Sequence, residues 1–197
     1  MMYLLSPAWC GGKRAQLILN ERATFPLAER IRRPGGAAIS EVFSFLSGLY
    51  FRGKVAYVRQ FASGPGSRAL VITPTRGVVE LDTLITRSDL LEFAAVDIAT
   101  NDERFRIPFQ RDITALATHS GDVVLLGSVA TGKYVDALME LLGNRLLFPG
   151  DFVGRGDMSR GGLMLRRARE NRELDYIPVA GAVRHGPRPP KLSRLPE

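Results

Sequence analysis

Apolar positions along the chain fall into short unbroken runs, separated by longer stretches in which they recur every three or four residues. The unbroken runs Met2–Ser6 (MYLLS), Ala69–Thr73 (ALVIT), Val123–Leu126 (VVLL) and Arg145–Phe148 (RLLF) predict buried strands. Pro7, Pro74 and the pair Pro149-Gly150 stop three of them. Tyr176–Val179 reads as an edge strand, because Pro178 has no N–H to give to a ladder. Helical spacing predicts helices over Lys13–Asn20, Pro26–Arg32, Ser88–Ala94, Glu103–Thr118, Gly132–Leu142 and Met158–Asn171. The longest helical run, Ile39–Ala62, opens on Ser40 as N-cap and has Gly48 and Gly53 as the two places where it would break.

Short strands alternating with helices imply parallel pairing. The expected fold is α/β: a three-layer domain over residues 1–180, with a mostly parallel sheet of about four to five strands flanked by helices. From residue 181 to 197 the chain is rich in Pro, Gly and Arg, which predicts a flexible basic tail.

Composition narrows the class. A chain of 197 residues, 45% hydrophobic and 24% charged, has the material for one sizeable core. Its single cysteine, Cys10, cannot close an intramolecular disulfide, which points to a reducing, cytoplasmic setting. No run approaches the roughly 18 apolar residues of a membrane span, so no membrane partner is expected. The start MMYLLSPAWCGG lacks a basic leader and reads as a strand rather than a signal peptide.

The net charge of +7 is unevenly spread. Residues 1–62 carry nine Lys/Arg against three acids, residues 63–150 eight against eleven, and residues 151–197 ten against six. Cations gathered at both ends of the chain favour a polyanionic partner, nucleic acid above all.

Candidate chemistry sits where ligands of open α/β sheets sit, beyond the carboxyl ends of the strands. Each predicted strand runs into a loop that couples glycine or proline to a cation. The first carries Ser6, Lys13 and Arg14, the second Arg76, the third Gly127, Lys133 and Tyr134, and the fourth Arg155, Ser159 and Arg160. Glycine lets backbone N–H groups approach an anion, a following helix adds its positive dipole end, and the side-chain cation neutralises phosphate. These ten residues are the expected phosphate or nucleic-acid contacts.

The third loop, GSVATGKY, keeps the spacing of a phosphate-binding P-loop up to its last position, where Tyr134 replaces the hydroxyl residue that would hold magnesium. No cofactor and no metal site is expected, since one Cys and two distant His offer no ligand spacing. Asp157 and Asp82 are the candidate catalytic carboxylates, Asp157 being equally suited to a helix first turn. Cys10 as a nucleophile weighs less than Cys10 as a small buried residue. The aromatic residues Phe43, Phe45, Tyr50, Phe51, Tyr57 and Phe61 read as core, with Arg52, Lys54 and Arg59 between them as a minor nucleic-acid-contact reading.

Ser6-Pro7-Ala8 after the first strand, Gly121-Asp122-Val123-Val124 with the later Tyr134, and Arg155-Gly156-Asp157-Met158-Ser159-Arg160 at the start of a basic helix resemble motifs of the YaaA-type peroxide-stress proteins, in the same order. Gly77-Val78-Val79 with Asp82, and the pair Phe51-Arg52, are similar to features of related bacterial domains. The resemblance implies a basic α/β protein that binds DNA and is linked to protection from oxidative damage, with no settled catalytic activity. Cys10-Gly11-Gly12 and the Pro/Arg tail depart from the family pattern. Three functions are thus in play: nucleic-acid or polyphosphate binding, an enzyme on a nucleotide or nucleic-acid base of the glycosidic-bond hydrolase type, and an interaction scaffold.

Overall fold

The structure, a computed structural model, describes residues 1–98 and 102–192. Its strands are β1 (Met2–Leu5), β2 (Ala37–Ala38), β3 (Arg68–Ile72), β4 (Val78–Glu80), β5 (Leu84–Ile85), β6 (Val123–Leu126), β7 (Leu146–Pro149) and β8 (Tyr176–Pro178). The helices are α1 (Lys13–Leu19), α2 (Pro26–Arg32), α3 (Ile39–Ser47), α4 (Leu49–Phe61), α5 (Arg87–Ala94), α6 (Glu103–Ala117), α7 (Val135–Leu142) and α8 (Asp157–Arg169).

Six strands form one sheet in the order β4-β3-β1-β6-β7-β8, while β2 and β5 pair separately. The inner strands β3, β1, β6 and β7 are parallel, and β4 and β8 close the two edges antiparallel. All four residues of β1 and of β6 are buried. Neighbouring residues of a strand point to opposite faces, so both faces of the sheet centre are covered. This is a mixed α/β fold with one more strand in its main sheet than the apolar runs predict. The strand β4 was missed because Val78–Glu80 is only half apolar and sits at an edge.

The path of the chain creates a switch point. From β1 it crosses to β3 on one side, then returns to lay β6 against the other side of β1. The loops leaving β1 and β6 therefore diverge and open a crevice between the two carboxyl ends.

The expected long helix is two helices. Gly48 ends α3 and begins α4 with φ +60°, a left-handed angle that favours glycine. Gly53, the other expected break, lies inside α4 and has a different purpose. A Cβ there would stand 2.5 Å from the Gly161 carbonyl oxygen, and one on Gly161 would stand 2.5 Å from that of Leu49. Two glycines thus let α4 and α8 touch backbone to backbone, which brings the polar residues of both helices to the same point.

The stretch expected to be a tail runs back over the domain as far as it is described. Val153 meets Gly186, Leu192 meets Gly162, and Arg184 lies 3.7 Å from Asp136. Residues 193–197 of that expected tail lie outside the described residues. Among the described residues no helix is long and apolar enough to cross a membrane.

Candidate functional site

Ser6 follows the last residue of β1 and stands at the switch point, with its N–H donating to the Leu126 carbonyl at 3.3 Å. Beside it lies Lys54 of α4, 1% exposed. Its Nζ is 2.6 Å from Ser6 Oγ and donates to the Ser6 carbonyl at 3.0 Å. The ammonium also sits 4.0 Å from the centre of the Tyr50 ring and 5.2 Å from that of Phe51. No carboxylate bonds to it among the described residues. Burial lowers the Lys54 pKa to about 7; Asp157 opposes the shift and Arg160 adds to it.

On the other side of Ser6 stands Tyr134, the residue before α7. Its hydroxyl reaches the Ser128 carbonyl at 3.4 Å and lies against the Ser6 side chain, and burial raises its pKa. Gly127 is what makes room for this. A Cβ at that position would fall 2.8 Å from Ser6 Cβ and 3.0 Å from both Ser6 Oγ and the Tyr134 hydroxyl.

The α4–α8 contact brings further groups. Tyr50 is one helical turn before Lys54. Its hydroxyl is buried and has no hydrogen-bond partner; the Arg160 guanidinium faces it without forming a well-aligned bond. Arg160 donates to the Phe152 carbonyl from Nε and Nη2, each at 3.2 Å, and its Nη1 is 3.5 Å from Asp157.

A cavity of about 280 Å³ opens on this cluster, at the lower end of small-ligand pockets. Ser6, Tyr50, Tyr134 and Asp157 line it, with Ser128, Lys133 and Asp97 as further polar groups and Trp9, Phe93 and Ile98 as apolar wall. Lys54 does not line it; Ser6 stands between the amine and the opening. Trp9 is the single tryptophan and is 63% exposed. One face of its indole lies over Gly11 and Gly12, where a Cβ at either position would come within 2.9 Å of the ring. Cys10, also on the wall, is buried and its thiol is pushed up to about 12 by that burial, which leaves it inert.

Comparison with family models, with curated proteins and with solved structures yields no match. The site is therefore read from its own geometry.

Of the expected contacts, Ser6, Gly127, Lys133, Tyr134 and Arg160 gather at the switch point, together with Asp157, one of the two candidate carboxylates. Others do not join them. The loop holding Arg76 is a tight connection into antiparallel β4, with no helix behind it, and Arg76 pairs with Asp89 and Glu92 of α5. Asp82 follows β4, which carries the chain back toward the amino end of β3. There it faces Arg59 and Ser40, at the opposite end of the sheet from Ser6. Arg14 spends its guanidinium on the Phe45 carbonyl at 3.2 Å, and Lys13 is exposed at the start of α1. The P-loop-like segment folds around Tyr134 itself.

Arg155 and Ser159 face a second concavity. This groove, of about 460 Å³, runs between the first turns of α8 and residues 188–192. Arg155, Arg166, Arg188 and Lys191 line it together with Ser159, and no carboxylate among the described residues does.

Sequence reasoning did not place Lys54, Tyr50 or Trp9 at the strand-end site; Lys54 entered only in the minor nucleic-acid-contact reading and Tyr50 as core. The signal for Lys54 is legible afterwards. Tyr50, Lys54, Tyr57 and Phe61 recur at helical spacing, so a lysine occupies the apolar stripe of its helix. Trp9 has no such signal beyond standing next to two glycines.

Proposed function

We propose that this protein binds nucleic acid, with the phosphodiester chain lying in the groove between α8 and residues 188–192. The observation that carries this reading is that no acid among the described residues lines that groove. Bringing the cations Arg155, Arg188 and Lys191 together costs electrostatic free energy unless an anion offsets it. Arg155, Arg188 and Lys191 have no carboxylate partner among the described residues that would do so. The exposed first turn of α8, capped by Gly156 without a side-chain hydrogen bond, adds its dipole end to the same place. DNA binding is also what the resemblance to the YaaA-type proteins implies. In this reading Lys13, Arg14 and Arg76 contribute general field rather than contacts. The covered faces of β1 and β6 support helices on both sides of the sheet in three layers, and the one buried, reduced cysteine suits a cytoplasmic setting.

The test is fluorescence anisotropy with labelled single-stranded and duplex DNA and RNA over a salt series. Each phosphate contact should contribute about 0.7–0.9 to the logarithmic salt slope. The Arg155→Ala/Arg188→Ala/Lys191→Ala variant should bind at least tenfold more weakly and with a shallower slope. Affinity and slope equal to those of the unaltered protein would remove the groove from the interaction.

A further inference from the structure

Beyond binding, the switch-point cavity has the parts of a covalent catalyst. We propose that Ser6 is a nucleophile and Lys54 its general base, in a site that transfers or hydrolyses acyl groups from small esters or amides.

The arrangement of donors and acceptors is the first argument. A lysine kept buried for structure alone would have its charge answered by a carboxylate. Lys54 has instead one carbonyl and one hydroxyl, both on Ser6. A neutral amine satisfies both: it donates to the Ser6 carbonyl and accepts from the Ser6 hydroxyl. That direction turns a lone pair of Oγ outward as a nucleophile. Only Ser6 of the pair lines the cavity, so an electrophile meets the oxygen while the amine stays shielded from water.

The second argument is the unfilled hydrogen-bonding capacity around Ser6. The Tyr50 hydroxyl is buried, lines the cavity and has no well-aligned partner, and the Tyr134 hydroxyl has the Ser6 side chain beside it and only a long bond to the Ser128 carbonyl. Both are donors placed to receive an oxygen that gains charge. The wall chemistry chooses the electrophile. Transferring phosphoryl groups demand a clamp of cations, whereas here Lys133 shares the cavity lining with two carboxylates, Asp97 and Asp157. A neutral carbonyl suits those walls. The outer face of Trp9 and the side chains of Phe93 and Ile98 take an apolar or planar portion of the acyl substrate.

The step balances without an added oxidant or reductant. Oγ bonds to the carbonyl carbon, the π pair moves to the carbonyl oxygen, and the Oγ proton passes to Nζ. Collapse breaks the bond to the leaving group, which departs with that proton. Water then repeats the sequence: its proton goes to Nζ, its oxygen bonds to the acyl carbon, and Oγ recovers the proton as the acid leaves.

The charged and titratable groups facing the amine are Asp157 and Arg160 from α8, Tyr50 on its own helix and Tyr134 before α7. The experiment incubates the full chain with a biotinylated fluorophosphonate between pH 5.5 and 9 and maps the adduct by tandem mass spectrometry. The expected adduct is on Ser6, its rate rising about tenfold per pH unit below pH 7 and levelling above, as a base of that pKa requires. Ser6→Ala should give none. Lys54→Met should slow labelling at least 100-fold and lose the pH dependence, with an unchanged circular dichroism spectrum. No adduct, an adduct on Ser47 or Ser128, or a Ser6 rate unaffected by pH and by Lys54→Met would each overturn the proposal. Labelling needs no nucleic acid, so this proposal and the binding groove stand or fall separately.

Discussion

The buried face of α4 carries two polar clusters, on Lys54 and on Tyr57 three residues later, and they are built on opposite terms. At one, Tyr57 accepts from the Leu174 N–H at 2.8 Å and shares a 2.5 Å hydrogen bond with Tyr176. Tyr3 and Tyr176 in turn donate to Glu173, at 2.5 and 3.3 Å. The Tyr3 ring meets those of Tyr57 and Tyr176 edge-on, with centroids 6.3 Å apart in both pairs. Every hydroxyl there has a partner, and the cluster ties β1, α4 and β8 together. At the other, among the described residues, Lys54 has no carboxylate bonded to it and Tyr50 has no well-aligned partner, and a cavity opens beside them. A closed polar network stabilises; a half-open one costs stability and persists where a ligand completes it. The two clusters share a helix, so their difference is not one of depth or of helix type but of whether the partners are already inside the protein.

The largest blow to both is at Gly53. Gly53→Ala drives a methyl group into the Gly161 carbonyl and parts α4 from α8, which should cost about 3 kcal/mol in a denaturant titration. Both clusters depend on that approach, so labelling of Ser6 should fall with it. A variant as stable as the parent would mean that the helices can slide apart freely.

The open cluster is next. The unfolded chain holds the Lys54 proton up to its ordinary pKa of 10.5, the folded chain only to about 7. Between those values the unfolded state binds more protons, so this residue makes the fold more stable as pH rises from 7 toward 10.5. Replacing a buried charge by an apolar residue of similar size is commonly stabilising. Lys54→Met should therefore raise stability at pH 7 by about 2 kcal/mol, and the gain should shrink by pH 10. A loss of stability at pH 7 would make the lysine a structural residue and erase the contrast between the clusters.

Much of the frame was legible in the residues. The parallel strands announce themselves as MYLL, LVI, VVLL and LLF because a strand buried on both faces has no polar positions to interrupt it. The strands closing one edge and the small sheet did not, since Val78–Glu80 and Leu84–Ile85 are short and half exposed. Missing β4 had a functional consequence: it turned Arg76 and Asp82 into expected site residues, when the antiparallel return takes Asp82 to the far end of the sheet. The loops were recognised as the site edge, but as four equal phosphate cradles. Spacing within a loop says that glycine and lysine are near each other; it does not say that Arg14, Arg76 and Arg160 already serve a carbonyl or a carboxylate. The pair that defines the cavity, Ser6 and Lys54, is separated by 48 residues, and only the crossing of α4 under the end of β1 unites it.

The smallest effect is the most direct comparison, because the same atom is removed at each cluster. Tyr57→Phe deletes the oxygen that accepts from Leu174 and leaves a buried N–H unanswered, and it takes one of two partners from the Tyr176 hydroxyl. An unsatisfied buried donor costs about 1–3 kcal/mol, and the lower end applies here because Tyr176 keeps Glu173 as an acceptor. Tyr50→Phe removes a hydroxyl with no well-aligned partner, and the Arg160 guanidinium that faces it keeps the Phe152 carbonyl and Asp157, so stability should stay within about 0.5 kcal/mol of the parent. The two substitutions read in parallel urea titrations thus rank the clusters without reference to any substrate. If Tyr50→Phe proved the more costly, its hydroxyl would be part of the fold's own hydrogen bonding rather than reserved for a ligand. If it is neutral for stability and yet slows the labelling of Ser6, the hydroxyl is a donor to the reacting oxygen, and the open cluster is open for that reason.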